Sequence, residues 1–266
     1  DNDWWTQRAD MPGTVCNAAT GFSVGSKGYV TTGYNPDQKY LSDTWEYNPE
    51  TNSWRQMDDF KGGARYYALG FGIDNYGYVG TGYNDNYLKD FYRFDPTAAA
   101  GSQWTIVNGF GGQKRQGGTA FVIDGKAYVC GGQNNNSDVS DFWCFDPSAA
   151  TPWTQLRDIA NTSDDDYDDD YTSIVRSYGV SFVIDGKAYL TLGSTAGGSY
   201  YSNYWIYDPA TDLWEGDDLT AFEGSTRIHA VCFSTGTRGI VATGGSGSSS
   251  YFDDTWELKP YEYEEE

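Results

Sequence analysis

Short segments in which apolar and polar residues alternate run along the chain, and tight turns separate many of them. In one region, strands are predicted at residues 119–123, 127–130, 142–145 and 153–156. Asp124-Gly125 predicts a hairpin turn with positive φ between the first two, and Pro147 ends the third because proline cannot donate to the ladder. Helical spacing of apolar residues is absent throughout. The pattern therefore predicts a four-stranded antiparallel sheet.

This pattern recurs at intervals of roughly fifty residues, with one insertion. Each copy holds an aromatic or aliphatic residue after a turn, and we use these residues as anchors: Tyr29, Tyr78, Tyr128, Tyr189 and Ile240. A small or glycine-rich end follows, as in Gly131-Gly132, and then an aromatic strand that ends in proline, as in residues 141–147. A further Trp closes four copies, at Trp54, Trp104, Trp153 and Trp214. The chain therefore contains five copies of one unit.

The paired glycine, the aromatic strand and the spaced Trp resemble the kelch repeat over nearly the whole chain, although Gly-Tyr or Gly-Ser replaces the second glycine in three copies. The resemblance implies an all-β fold, a five-bladed β-propeller of four-stranded antiparallel kelch blades around a central channel. We predict a single domain over residues 1–266, with blades at residues 13–57, 62–107, 113–156, 174–215 and 225–260 and an acidic insertion at 158–174.

The two ends of the chain complement each other. The fifth copy stops after Pro260 without its Trp strand, whereas the chain begins with Trp4-Trp5-Thr6-Gln7, which is similar to Trp153-Thr154-Gln155. We predict that residues 3–8 supply the outer strand of the last blade. This strand would close the ring and remove free strand edges that invite aggregation.

The loops between the second and third strands vary in length and chemistry among the copies, and binding residues often lie on such loops. On the same face, thirteen residues before the anchors, four copies carry one of the chain's nine arginines: Arg65, Arg115, Arg176 and Arg227. Because a guanidinium matches carboxylate, sulfate or phosphate, this register predicts an anion site at the channel mouth. In the alternative, each arginine pairs with a local Asp or a loop carbonyl.

Aromatic and polar side chains are expected around the same mouth. Counting back from the anchors places five residues just inside the arginines: Tyr66, Tyr67, Gln116, Tyr178 and His229. Three tyrosines, Tyr34, Tyr83 and Tyr87, are expected on the loops above them. Aromatic faces beside amide donors suit sugar rings, although the tyrosines could instead pack between blades. We therefore expect a non-catalytic site, without a cofactor, for an anionic or polyhydroxylated ligand such as an acidic glycan.

Enzymatic alternatives come from the kelch resemblance. Galactose oxidase has a related propeller with a copper site, but His229 is the single histidine here, so a site with two imidazoles cannot be built. The predicted inner strands at residues 18–24, 68–73, 119–123 and 180–184 contain no Asp or Glu, which argues against glycoside hydrolysis. Two alternatives stay open: a protein–protein interaction scaffold that binds acidic segments, and a sialate-mutarotase-like enzyme with an arginine-lined pocket.

Two further features concern metals and thiols. Asp164, Asp166 and Asp168 in the insertion could offer oxygen ligands to calcium, but the loop lacks the glycine and the closing glutamate of an EF-hand, so a solvated acidic loop is favoured. Cys130 and Cys144 fall on neighbouring predicted strands and could form a disulfide. Free buried thiols are favoured, because cysteine packs as a small apolar residue.

The formal net charge of −21 at pH 7 repels phosphate backbones, so nucleic acid is not an expected partner. No run of about 18 apolar residues occurs, so no transmembrane segment is expected. The chain starts with Asp1-Asn2-Asp3 rather than Met. We therefore expect an extracellular or cell-envelope protein, periplasmic or at the surface, trimmed from a secreted or lipoprotein precursor.

Overall fold

The structure is a computed structural model that describes residues 6–216 and 219–260. Within them the regular structure is β-strand, apart from one 3₁₀ turn at Asp166–Asp168. Five larger antiparallel sheets, here called blades 1 to 5 in chain order, account for most strands. The chain divides into two compact units. The first unit contains the residues up to Asn86 and Asp90–Asn108, and the second unit contains Tyr87–Lys89 and the residues from Gly109 onward.

Blades 1 and 2 lie in the first unit, and in each of them consecutive strands pair in chain order. The strands of blade 1 are Thr20–Val24, Lys27–Thr31, Thr44–Asn48 and Ser53–Gln56. The strands of blade 2 are Leu69–Ile73, Tyr76–Gly80, Phe91–Phe94 and Trp104–Val107. A two-stranded hairpin, Tyr34–Asn35 with Lys39–Tyr40, lies in the loop between the second and third strands of blade 1.

Blades 3, 4 and 5 lie in the second unit and follow the same order. The strands of blade 3 are Thr119–Ile123, Lys126–Cys130, Trp143–Phe145 and Trp153–Gln155. The strands of blade 4 are Val180–Ile184, Lys187–Thr191, Tyr204–Asp208 and Leu213–Glu215. The strands of blade 5 are Val231–Ser234, Gly239–Ala242 and Thr255–Leu258. Short hairpins pair Gln133–Asn134 with Ser137–Asp138 and Gly245–Ser246 with Ser250–Tyr251.

The predicted closing strand bears on blade 5, which has three strands among the described residues. Residues 3–5, half of that strand, lie outside the described residues, and residues 6–8 are not part of a strand. The closure of the last blade by residues 3–8 therefore stays a prediction.

The repeated anchors have one packing role. In blades 1 to 4, each anchor tyrosine lies opposite a phenylalanine of the first strand, and the two side chains stack. The pairs are Phe22–Tyr29, Phe71–Tyr78, Phe121–Tyr128 and Phe182–Tyr189, with ring centroids 5.3–5.7 Å apart and interplanar angles of 9–15°. Such cross-strand aromatic pairs stabilise antiparallel sheets.

The hairpin turns follow the predicted chemistry. Asp124 and Gly125 have φ values of 49° and 74°, and Asp185 and Gly186 have values of 49° and 77°. Two successive residues with positive φ match the right-handed twist of the flanking strands. These turns fix the register of the first two strands in blades 3 and 4, and the predicted antiparallel pairing is confirmed.

Candidate functional site

The four repeated arginines are buried inside their own blades. Arg115 is 0% exposed. Its Nη1 donates to the carbonyl oxygen of Gly131 at 3.1 Å, its Nε donates to that of Gln113 at 3.3 Å, and its Nη2 forms a short ion pair with Asp141. Asp141 is the first residue of the aromatic segment 141–147. The guanidinium therefore ties the loop before the first strand to the loop before the third strand.

The other three arginines repeat this arrangement with one variation. Arg65 donates to both carboxylate oxygens of Asp90, at 2.6 and 2.9 Å, and Arg227 does the same with Asp254. Hydrogen bonds from Arg227 and Trp256 hold the pKa of Asp254 well below its usual range. Arg176 has Asn203 in place of an aspartate and also donates to four backbone carbonyls. Burial lowers the pKa of Arg176 to about 10.

These contacts correct the expected placement of Arg65, Arg115, Arg176 and Arg227 at an open channel mouth. All four side chains are at most 1% exposed, and their donors bind aspartates, an asparagine and carbonyls of the same blade. The structure shows the alternative arrangement, in which each arginine pairs with local side chains and loop carbonyls. An anion site built from these guanidinium groups is therefore not supported.

The residue two positions after each arginine adopts a left-handed backbone conformation. Its φ is 52° at Tyr67, 61° at Gly117, 57° at Tyr178 and 59° at His229. In the second unit, the N–H of Tyr178 donates to the carbonyl oxygen of Gly117 at 2.7 Å, and the N–H of His229 donates to that of Tyr178 at 3.3 Å. Positive φ is unfavourable for tyrosine and histidine, so the surrounding backbone must impose it. This register presents Tyr178 and His229 side by side.

A cluster of amide and aromatic side chains surrounds Tyr178 in the second unit. We call Gln116, Gln133, Tyr178 and His229 the amide–tyrosine cluster. The Tyr178 hydroxyl oxygen accepts from Nε2 of Gln116 at 2.9 Å and from Nε2 of Gln133 at 2.6 Å. The imidazole of His229 packs edge-on against the Tyr178 ring, with centroids 4.6 Å apart. His229 is exposed on its outer side, and partial desolvation of its imidazole lowers its pKa.

Two buried polar atoms, one in this cluster and one beside it, have no hydrogen-bond partner. They are Oε1 of Gln116 and Oγ of Ser177. Gln116 is 8% exposed and Ser177 is 1% exposed. A buried polar group without a partner destabilises a protein by about 1–3 kcal/mol. Ordered water commonly satisfies such atoms. The hydroxyl oxygens of Thr32, Thr81 and Thr119 are buried without a partner in the same way.

A second aromatic group lies in the first unit, where five tyrosines pack together: Tyr34, Tyr40, Tyr66, Tyr67 and Tyr83. Tyr40 stacks on Tyr66 at 5.7 Å and donates to Oδ1 of Asp85 at 2.8 Å. Burial and this hydrogen bond raise the pKa of Tyr40 to about 12. Burial raises the pKa of Tyr67 to about 12. The expected loop tyrosines are thus largely packed on one another, and Tyr87 lies half-buried on the loop that follows Tyr83.

The structure also contains features that the sequence did not predict. Gln133, at the start of a variable loop, completes the amide–tyrosine cluster. In the first unit, an open cleft of about 390 Å³ lies beside Tyr40, Asp43 and Trp45. The indole of Trp45 donates to Oδ2 of Asp43 at 2.6 Å, so this carboxylate already has a partner inside the cleft.

In the acidic insertion, the carboxylate of Asp168 is hydrogen-bonded to residues of the insertion itself. Asp168 is 0% exposed and accepts from the N–H groups of Thr162 and Ser163 and from the Ser163 hydroxyl, at 2.9–3.0 Å. Although burial acts to raise it, these bonds keep the pKa of Asp168 below its usual range. In residues 6–216 and 219–260, no group of three His, Cys, Asp or Glu residues could hold a metal ion. This corrects the calcium candidate at Asp164, Asp166 and Asp168.

The cysteines are free thiols in the structure, so Cys130 and Cys144 form no disulfide. Cys130 is fully buried, and burial raises its pKa to about 12. A thiol with so high a pKa is unreactive at neutral pH. Within the part of the chain that the structure describes, no helix has the length and apolarity that a membrane crossing requires.

Comparisons with known proteins agree with this architecture. Residues 23–163, just over half of the chain, match the family model described as the KLHDC2/KLHL20/DRC7 Kelch-repeats domain. Among solved structures, the chain is similar to one titled "Structure of YjhT", with a TM-score of 0.77 and 16% sequence identity. That similarity covers 96% of this chain and 84% of the other. No curated protein sequence gives a significant match.

The five antiparallel blades and the structural likeness define the fold class as a five-bladed β-propeller. The chain belongs to the kelch-repeat family. A kelch propeller supports a binding or scaffolding role in general.

Proposed function

We propose that this kelch propeller is a non-catalytic binding protein for a neutral polyhydroxylated ligand, such as a glycan, and that the ligand binds over the amide–tyrosine cluster. The observation that carries the proposal is the buried, unpartnered Oε1 of Gln116. Because this oxygen is buried, a ligand hydroxyl would reach it through an ordered water, which can donate to it. The Tyr178 ring and the imidazole of His229 beside it offer aromatic surface for the C–H face of a sugar.

The electrostatics favour a neutral ligand over an anionic one. The chain has a net charge of −21, and its four register arginines bind partners within their own blades. An acidic glycan or an acidic protein segment would meet repulsion without an accessible guanidinium from this register to offset it. The scaffold for acidic segments and the sialate-mutarotase-like enzyme both depended on an accessible arginine, and neither now has support from the geometry.

A glycan array followed by calorimetric titration of the best neutral ligand tests this proposal. Tyr178→Phe removes the oxygen that accepts from both glutamine amides, so those amides lose the position that the ligand requires. Loss of one such network bond, about 1–1.5 kcal/mol, lowers affinity roughly tenfold. Affinity in the unmodified protein should change little with ionic strength, because a neutral ligand has no charge to screen.

The matched control is Tyr67→Phe. Tyr67 occupies the same register in blade 2 and shares the left-handed conformation, with φ of 52° against 57° at Tyr178. The control should fold normally and bind with unchanged affinity. Equal losses in the two variants, or an array that shows binding to anionic glycans alone, would contradict the proposal.

A further inference from the structure

Blade 1 differs from the other four blades at the register of the arginines. Thirteen residues before its anchor it carries Cys16, whereas blades 2 to 5 carry the four register arginines. It nevertheless has an aspartate, Asp43, at the start of its aromatic segment. The aspartates at this position in blades 2, 3 and 5 form ion pairs with the arginines of their own blades: Asp90, Asp141 and Asp254. Blade 1 therefore keeps the carboxylate of this pair and lacks its cation.

The carboxylate of Asp43 has only part of the usual set of partners. The indole Nε1 of Trp45 donates to Oδ2 at 2.6 Å. In blade 5, the equivalent Trp256 donates to Oδ2 of Asp254 at 2.8 Å, and Arg227 binds both oxygens of that carboxylate. Within the described part of the chain, no lysine or arginine forms an ion pair with Asp43, which is half-buried. A carboxylate that has a neutral indole as its donor favours a cation as a further partner.

The open cleft of about 390 Å³ in the first unit lies beside this carboxylate. Gly13 and Thr14, three and two residues before the arginine register, line it together with Asp43. In blade 2, the carbonyl oxygens at the registers of Gly13 and Thr14 accept from Arg65, and in blade 4 they accept from Arg176. The cleft thus brings together residues from three registers that bind a guanidinium in other blades.

Aromatic rings and charge add to the preference of the cleft for a cation. Tyr40 and Trp45 line it, and aromatic rings of this kind attract a guanidinium that lies over their faces. The repeat already uses this contact in blade 2, where the guanidinium carbon of Arg65 lies 4.8 Å from the ring centroid of Phe60. Asp59 adds a second carboxylate to the lining, and the net charge of −21 attracts cations to the protein.

We propose that this cleft binds a guanidinium group from outside the chain, in the position that the register arginine holds in the other blades. The group belongs to an arginine side chain of a partner segment or to a free small guanidinium compound, because both offer the same planar fork of donors to Asp43 and to the carbonyls of Gly13 and Thr14. An ammonium lacks this fork and binds less tightly. The site differs from the amide–tyrosine cluster both in its residues and in the charge of its ligand.

Calorimetric titration with three matched probes tests this chemistry: the N-acetyl amides of arginine, lysine and citrulline. Citrulline keeps the length and planar end of the arginine side chain but carries no charge. The arginine probe should bind with a saturable Kd, the lysine probe about tenfold more weakly, and the citrulline probe more weakly still. Binding of the arginine probe should weaken as salt is added, because the cleft is open to solvent.

Two further probes distinguish the sources of the guanidinium. One is agmatine, a small guanidinium compound, and the other is a capped glycine peptide with one central arginine. Tighter binding of the peptide than of agmatine assigns the cleft to a partner segment, and the reverse order assigns it to a small molecule. Either order supports a guanidinium site.

Three variants locate the binding. Asp43→Asn removes the charge but keeps an oxygen that accepts from Trp45, and it should weaken binding of the arginine probe about tenfold or more. Cys16→Arg restores the arginine of the repeat, so it should abolish binding and raise the Tm. Glu50→Gln is the matched control, because Glu50 is exposed at the turn after the third strand, at the opposite end of blade 1 from Asp43. Its affinity should be nearly unchanged, and thermal unfolding checks that each variant folds.

Three results would overturn the proposal. The first is equal binding of the arginine and citrulline probes, or no saturable binding of either. The second is equal affinity of Asp43→Asn and Glu50→Gln for the arginine probe, because general surface charge would then account for the binding. The third is unchanged binding by a folded Cys16→Arg variant, which would place the probe outside the cleft.

Discussion

Replacing Arg115 by methionine separates a structural arginine from a ligand-binding one. The substitution removes the guanidinium but keeps an unbranched side chain of moderate length. It leaves the carboxylate of Asp141, 9% exposed, without its ion-pair partner, although the N–H of Gln113 and the indole of Trp143 still donate to it. It also removes the donors to the carbonyls of Gly131 and Gln113.

The expected loss of stability follows from the carboxylate of Asp141, which is left without its ion-pair partner. Breaking a buried ion pair by removing one partner destabilises a protein by about 3–5 kcal/mol. For a chain of this size, each 1 kcal/mol lowers the Tm by about 2–4 °C, so a decrease of roughly 6–20 °C is expected. Arg176→Met is the matched comparison. The side-chain partner of Arg176 is the neutral Asn203, so this substitution leaves no carboxylate without a partner. Its expected loss is about 1–3 kcal/mol.

Thermal unfolding at pH 7, followed by circular dichroism, measures both variants against the unmodified protein. Arg115→Met should unfold at a clearly lower temperature than Arg176→Met, and below its own Tm it should bind the selected glycan with unchanged affinity. If Arg115→Met kept the Tm of the unmodified protein but lost ligand binding, the structural role of this arginine would be refuted.

Two further predictions concern the electrostatics and packing of the blades. Although burial acts to raise it, hydrogen bonds from three neighbouring side chains lower the pKa of Glu46, so this carboxylate stabilises the fold above pH about 4.3 and less as the pH falls through its lowered pKa. Urea unfolding should show Glu46→Gln less stable than the unmodified protein at pH 7, with a difference that narrows as the pH falls, and a pH-independent difference would contradict this. Gly77→Ala should destabilise by about 1–3 kcal/mol because its Cβ collides with the ring of Phe22, whereas a Cβ at Gly28 meets no atom and Gly28→Ala should be nearly neutral. Equal Tm values for the two variants would argue against the close packing of Phe22 on Gly77.

The blades could be predicted because their signals are local. Asp124-Gly125 sets the turn and the register, and the anchor tyrosine lies opposite its phenylalanine as a direct consequence. The exposure of Phe233 could not be predicted, because this residue stands at the same register as four buried phenylalanines.

The sequence shows that four arginines recur at one register, but it does not show whether their side chains point into the blade or into the channel. A signal for local pairing was present in the sequence. In three of the four copies that carry arginine, an aspartate begins the aromatic segment: Asp90, Asp141 and Asp254. In the fourth such copy, Asn203 takes that position. Gln133 gave no such signal. It joins Tyr178 only because the fold brings a loop of blade 3 beside the first strand of blade 4.

The side-chain amide signals of Gln116 and Gln133 in ¹⁵N NMR test the central claim most directly. During titration with the neutral glycan selected on the array, both signals should shift and saturate with one Kd, and Tyr178→Phe should weaken that Kd roughly tenfold. Saturable binding of the glycan with both amide signals unmoved would place the site elsewhere and contradict the account.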